Sequence, residues 1–202
     1  MNDIRNLTPG QLDALREVAN IGAGHAATAL SQMTSQTIMI SVPRVNIAAL
    51  EDVPNQIAEK EEPVAAVLMR MMGDLTGVTL LVFPKATALQ VAGLMMRKPV
   101  TELGEMAQSA IKEAGNILSA AYMNALSEFM GMILLPGPPS LTVDLSEAVL
   151  SSTYVEISQG MEYVFCVESE FILSGDQARV RGIFLLLPDP PSLAAILRSL
   201  RI

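Results

Sequence analysis

One stretch of this chain occurs twice, and it constrains the fold more than any other feature. Leu12-Asp13-Ala14-Leu15-Arg16-Glu17-Val18-Ala19-Asn20-Ile21 is matched by Gln108-Ser109-Ala110-Ile111-Lys112-Glu113-Ala114-Gly115-Asn116-Ile117. Each copy sets a short oxygen-bearing residue, Asp13 or Ser109, four positions before a glutamate and seven before an asparagine. A proline, Pro43 or Pro139, follows each asparagine after 22 intervening residues, and all four positions keep one offset of 96. The residues around them have drifted. The chain is therefore built on a duplicated plan, with two elements of one kind in equivalent places.

At about 100° per residue, positions i, i+4 and i+7 share a narrow arc of a helix surface. Asp13, Glu17 and Asn20 then point one way, while Leu12, Leu15, Ala19, Gly22, Ala26, Ala29, Leu30 and Met33 form an apolar stripe on the other side. Asparagine is a poor helix former, so nothing in propensity recommends it mid-helix twice. A solvated helix surface copied by gene duplication is the competing reading of the trio.

Taken in order, Thr8-Pro9-Gly10-Gln11 has the residues of a capped helix start, and the helix is expected to run to about Met33. A strand from Ile38 is interrupted at Pro43-Arg44 and resumes at Val45, as suits an edge proline. Val64 to Met72 and Gly77 to Phe83 read as a hairpin across Gly73-Asp74, and Pro84-Lys85 opens a shorter helix ending before Lys98. The second round gives a helix from Glu102 to Met130 and a strand from Leu141 to Leu145. A hairpin of Glu162 to Leu173 with Ala178 to Leu187 follows, across Ser174-Gly175-Asp176, and a last helix starts at Pro190. The expected fold is α+β: a pseudo-two-fold repeat of helix-strand-strand-strand-helix, with a largely antiparallel six-stranded sheet and packed helices. The halves are about 8–98 and 102–202, in a single domain spanning 1–202.

Composition removes several functional classes. Thirteen Lys and Arg stand against 21 Asp and Glu, a net charge of −8, with no basic stripe for a phosphate backbone, which argues against nucleic acid. No apolar run reaches the length of a membrane span, and no signal-peptide core opens the chain. Cys166 stands alone in an apolar run, which reads as a small buried hydrophobe in a reducing cytoplasm. With one His and one Cys, zinc sites, Ser-His-Asp triads and Cys-His pairs all lack parts. Gly22-Ala23-Gly24-His25-Ala26-Ala27 fits a dinucleotide fingerprint in letters only. It lies inside a helix with no strand before it, so its glycines read as helix-packing sites; His25 falls near the core face by phase and takes no role.

A carboxylate and a carboxamide one turn apart on an exposed ridge remain. An Asn amide both donates to and accepts from water, and so can fix its position without removing its proton. That suits hydrolysis of a phosphoryl group whose charge is neutralised by the partner's own metal and lysine, with the Glu pairing a cation on that partner.

At these residues the sequence resembles the CheC-type chemotaxis phosphatases, the family of CheC, CheX and FliY. The motif (Asp or Ser)-x3-Glu-x2-Asn-x22-Pro is matched by Asp13, Glu17, Asn20 and Pro43, and again by Ser109, Glu113, Asn116 and Pro139. Two complete copies are more similar to CheC than to CheX, which carries one. The resemblance implies a hydrolase acting on the aspartyl-phosphate of the response regulator CheY. Asn20 and Asn116 would orient water, and Glu17 and Glu113 would pair with the regulator's lysine. Asp13, Ser109, Pro43 and Pro139 would be supporting positions. It implies no cofactor of the chain's own, Mg2+ residing on phosphorylated CheY, and CheD as a second partner. The alternative is a non-catalytic interaction module, a CheD-binding adaptor or a protein like the flagellar switch. Its support is the Met-rich character of Met69 to Met72, Met95-Met96 and Met130 to Met132, which reads mainly as core.

Overall fold

The computed structural model describes residues 7–49, 52, 61–157, 163–173 and 179–199. The first helix, α1 (Pro9–Thr34), starts where its sequence says it should. Thr8 Oγ1 accepts from the Gln11 amide at 3.3 Å, and the Thr8 amide donates back to Gln11 Oε1 at 3.0 Å, which satisfies two of the amides a helix start leaves over. The edge strand that follows is broken into β1 (Ile38–Ile40) and β2 (Arg44–Ala49), with Pro43 in the break. β3 (Pro63–Gly73), β4 (Gly77–Pro84) and α2 (Lys85–Met96) complete the first round.

The second round is α3 (Glu105–Met130), β5 (Leu134–Pro136), β6 (Ser140–Leu145), α4 (Ser146–Ile157), β7 (Tyr163–Leu173), β8 (Arg179–Pro188) and α5 (Pro190–Ser199). α3, β5 and β6 repeat α1, β1 and β2 residue for residue at the 96 offset, with Pro139 in the break between β5 and β6. After α4 the offset is 100 between β3 and β7 and 102 between the starts of β4 and β8, so the register slips in the connector and again after β7. Two elements go beyond the sequence expectation: the helix α4, over residues for which the sequence predicts no element, and β5, which the second edge strand gains. α3 also begins at Glu105 rather than Glu102, after Gly104. The turn proposed at Ser174-Gly175-Asp176 lies outside the described residues.

Among the described residues all strand pairs are antiparallel, and the rows run β1/β2, β7, β8, β4, β3, β5/β6. Eight segments therefore make six rows, with each edge row broken at its proline. The halves exchange edges: β1 and β2 of the first round lie on β7 of the second, and β5 and β6 lie on β3 of the first. Alternation in β3 sends Ala65, Val67, Met69 and Met71 into one core with α1, α2, α3 and α5, and Val64 and Ala66 to the other face, where Val149 of α4 packs.

The β3–β4 turn ties the ends together. Gly73 and Gly77 have φ of +112° and +141°, and a Cβ on either would stand 2.3 Å from a carbonyl oxygen, of Ile133 and Leu187 respectively. Asp74 Oδ2 accepts from the Ile133 amide at 2.8 Å on one side, and Thr76 Oγ1 donates to Asp189 on the other. Asp189 in turn caps α5, its Oδ1 accepting from the Ser192 amide at 2.8 Å. Burial raises the Asp189 pKa, but the hydrogen bonds from Thr76 and Ser192 outweigh it and leave the carboxyl below its ordinary value.

Candidate functional site

The two motif helices lie against each other on one face of the sheet, in contact along their lengths. Gly22 makes that approach possible: a Cβ there would stand 2.6 Å from Tyr122 Cδ1 and 3.0 Å from the Tyr122 Cα. Gly115 does the same between α3 and the sheet, where a Cβ would meet Val67 Cγ1 at 2.6 Å. Gly24 has nothing within 4 Å, so of the two glycines expected to pack helices only Gly22 does. The Tyr122 ring stacks on Phe184 with centroids 4.6 Å apart, and its hydroxyl meets Ser169 Oγ at 2.6 Å. Burial pushes the phenol up to about 12, against a smaller opposing effect of the Ser169 bond.

On this base α1 presents Asp13, Glu17 and Asn20, all exposed, on one ridge. Its buried side is Ala14, Leu15, Val18, Ala19, Gly22, Ala23, Ala26, Leu30 and Thr34; of the expected stripe, Leu12 and Ala29 are only half-buried and Met33 is exposed. His25 is exposed too, not near the core as its phase suggested. On α3 Ser109 is exposed, and Glu113 and Asn116 are half-buried. Among the described residues, none of Glu17, Asn20, Glu113 and Asn116 has a side-chain hydrogen bond or ion pair. Asp13 differs: its Oδ1 accepts from Arg16 Nη1 at 2.8 Å. Pro43 is buried and Pro139 half-buried, each in its edge-strand break and off the ridge.

Two repeated features escaped the sequence reading although both were visible in it. Ala29-Leu30-Ser31 recurs as Ala125-Leu126-Ser127 at the same offset. The structure shows why: Ser31 Oγ accepts from the Ile38 amide at 2.9 Å and Ser127 Oγ donates to the Met132 carbonyl, each tying the end of its helix to the segment that follows. A basic residue also recurs, Arg16 and Lys112, immediately before each Glu and one turn before each Asn. Among the described residues no three of His, Cys, Asp and Glu converge to hold a metal ion. Cys166 is buried, which pushes its thiol up to about 12, and no described helix is long and apolar enough to cross a membrane.

Comparison with known proteins bears on the family and the fold. The model of the CheC-like family matches residues 11–47 and 106–143, the two segments that carry α1 with its edge strand and α3 with its own. A Bacillus subtilis protein named CheY-P phosphatase CheC is 32% identical over 94% of this chain and 93% of its own length. Thermotoga maritima FliY, in its crystal structure, superposes with a TM-score of 0.80 at 25% identity, covering 96% of this chain and 97% of that one. The FliM middle domain from H. pylori shares the fold, with a TM-score of 0.68 at 14% identity over 96% of this chain and 99% of its own. With its motif duplicated, its edge strands exchanged and a relative this similar along nearly the whole length, the chain belongs to the CheC-like family.

Proposed function

We propose that this protein is a phosphatase for the aspartyl-phosphate of a CheY-type response regulator. The observation that carries the reading is the pair of ridges, each offering an asparagine beside a glutamate with neither side chain committed elsewhere among the described residues. A water accepting from and donating to the Asn20 or Asn116 amide is held in line with the P–O bond to the regulator's aspartate. Its oxygen attacks phosphorus, that bond breaks, and inorganic phosphate and the free carboxylate leave. Glu17 or Glu113 pairs with the regulator's lysine and fixes the docking register, and the regulator's own Mg2+ supplies charge neutralisation. Asp13, Ser109, Pro43 and Pro139 support the ridges. The exchanged edge strands favour reading 1–202 as a single domain, and the lone buried thiol favours a reducing cytoplasm.

The test is phosphate release from a phosphorylated receiver domain. Wild-type protein should accelerate it, and Asn20→Ala with Asn116→Ala should return it to the receiver's own rate, a loss of about 10²-fold or more for a water-positioning group. Equal rates for wild type and double variant would end the reading. A second reading, a docking module without hydrolysis, draws on Met72 and Leu135. These side chains are 45% and 54% exposed and face each other across β3 and β5, while Met69 and Met71 are buried as core. Capture of CheD or a switch component, with no phosphate release, would favour it.

A further inference from the structure

We propose that Arg16 and Lys112 contact the phosphoryl oxygens of the docked partner, with Asp13 as an internal counter-ion that Arg16 leaves on docking. The inference rests on the phosphatase reading and adds to it a group that reading lacks. A glutamate on each ridge brings negative charge close to a phosphoryl dianion, and the chain as a whole carries −8. A cation on the other flank of each asparagine offsets that repulsion at the phosphoryl group.

The helix places those cations well. Arg16 precedes Asn20 by four residues, so it lies about 40° around the helix from the asparagine, on the flank opposite Glu17 at about 60°. Helical side chains lean towards the N-terminus, so the Asn20 amide overhangs the turn that carries Arg16, and the same holds for Asn116 above Lys112. Each asparagine thus has an acid on one flank and a base on the other. The base has kept the 96 offset although only its charge, not its identity, is common to the copies. In the free protein the Arg16 and Asp13 side chains are 50% and 70% exposed, so their pair is a surface bond that exchanges for a phosphoryl contact at little cost. Lys112 has Ser109 in the place of Asp13, and it has no ion-pair partner among the described residues.

The experiment measures binding and phosphate release for wild type, for Arg16→Ala with Lys112→Ala, and for the charge-keeping pair Arg16→Lys with Lys112→Arg. Binding is read against one receiver domain in two forms, loaded with beryllofluoride as an acyl-phosphate mimic and unloaded. The proposal expects the alanine pair to bind the loaded form about tenfold more weakly, to bind the unloaded form within about twofold of wild type, and to release phosphate more slowly. The charge-keeping pair should recover most of both, and the melting temperature should not move. Equal losses for both receiver forms would mean that the cations meet permanent carboxylates of the partner, and no loss would mean a solvated surface; either overturns the proposal. A wild-type protein that neither releases phosphate nor prefers the loaded form would instead bring down the phosphatase reading, and this one with it.

Discussion

The ridges of α1 and α3 carry one motif on different supports. On α1 the glutamate and asparagine are exposed, nine residues of the helix are buried, and an Asp13–Arg16 pair occupies the start of the ridge. On α3 eleven residues are buried, the glutamate and asparagine are half-buried, and Met106 stands 71% exposed where α1 has Gly10. α2 packs along α3, whereas its counterpart α5 is seated on β8. Duplication therefore kept the motif residues and let the surroundings diverge. On the proposed mechanism a half-buried amide has less side-chain freedom to lose when it orders a water, which predicts that the α3 copy is the more active of the two.

The largest effect that separates the copies should come from removing one asparagine at a time. Asn116→Ala is expected to remove the greater part of the phosphate-release activity, about tenfold, and Asn20→Ala only about a tenth of it, each measured on the same phosphorylated receiver at subsaturating concentration. The reverse order would show that exposure, not preorganisation, sets the rate.

A second contrast lies beneath the ridges. Tyr122 anchors α3 to the sheet through Ser169 and Phe184, and the equivalent residue of α1 is Ala26. Burial raises the Tyr122 phenol from 10.0 to about 12 and the Cys166 thiol from 9.0 to about 12. Both folded-state values lie above the ordinary ones. The stability they carry is therefore complete below pH 9 and is lost as pH rises towards 12, on the order of 3 kcal/mol for Tyr122 and about 4 kcal/mol for Cys166 when fully expressed. Thermal melts between pH 8 and 12 should show this decline. Tyr122→Phe should flatten its upper part, at a cost of about 1 kcal/mol at neutral pH for the lost Ser169 bond. A variant that declines as steeply as wild type would show that α3 is not held through this phenol.

Much of this was legible in the sequence because it is locally encoded. The Thr8-Pro9-Gln11 start, the break at Pro43 and the β3–β4 hairpin each depend on residues within a few positions of one another. α4 was not legible: its Ser, Thr, Val, Tyr and Ile content is weak in helix propensity, and in Ser146–Ile157 it is tertiary packing that decides. β5 is three residues long and merges into the apolar run Met132 to Leu135. The exchange of edge strands between halves leaves no local trace, since β2 meets residues more than a hundred positions away. The motif residues were found from spacing alone, but the half-burial of Glu113 and Asn116 belongs to the packing around α3 and has no counterpart in their own letters.

The smallest effect is also the sharpest test of the comparison, because it converts one ridge towards the other. Asp13→Ser gives α1 the residue that α3 has at Ser109 and removes the carboxylate that holds Arg16 at 2.8 Å. If Asp13 restrains Arg16, the freed guanidinium should raise the affinity of the α1 site for a beryllofluoride-loaded receiver by about two- to threefold at low salt. The gain is limited because an exposed pair contributes only about 0.2–1 kcal/mol, and it should shrink as ionic strength rises and the surface charges are screened. The measurement belongs in an Asn116→Ala background, where the α1 copy is the one being read. A loss of affinity in place of the gain would mean that the Asp13 carboxylate itself meets a cation on the partner, and that the aspartate and serine forms of the motif dock differently.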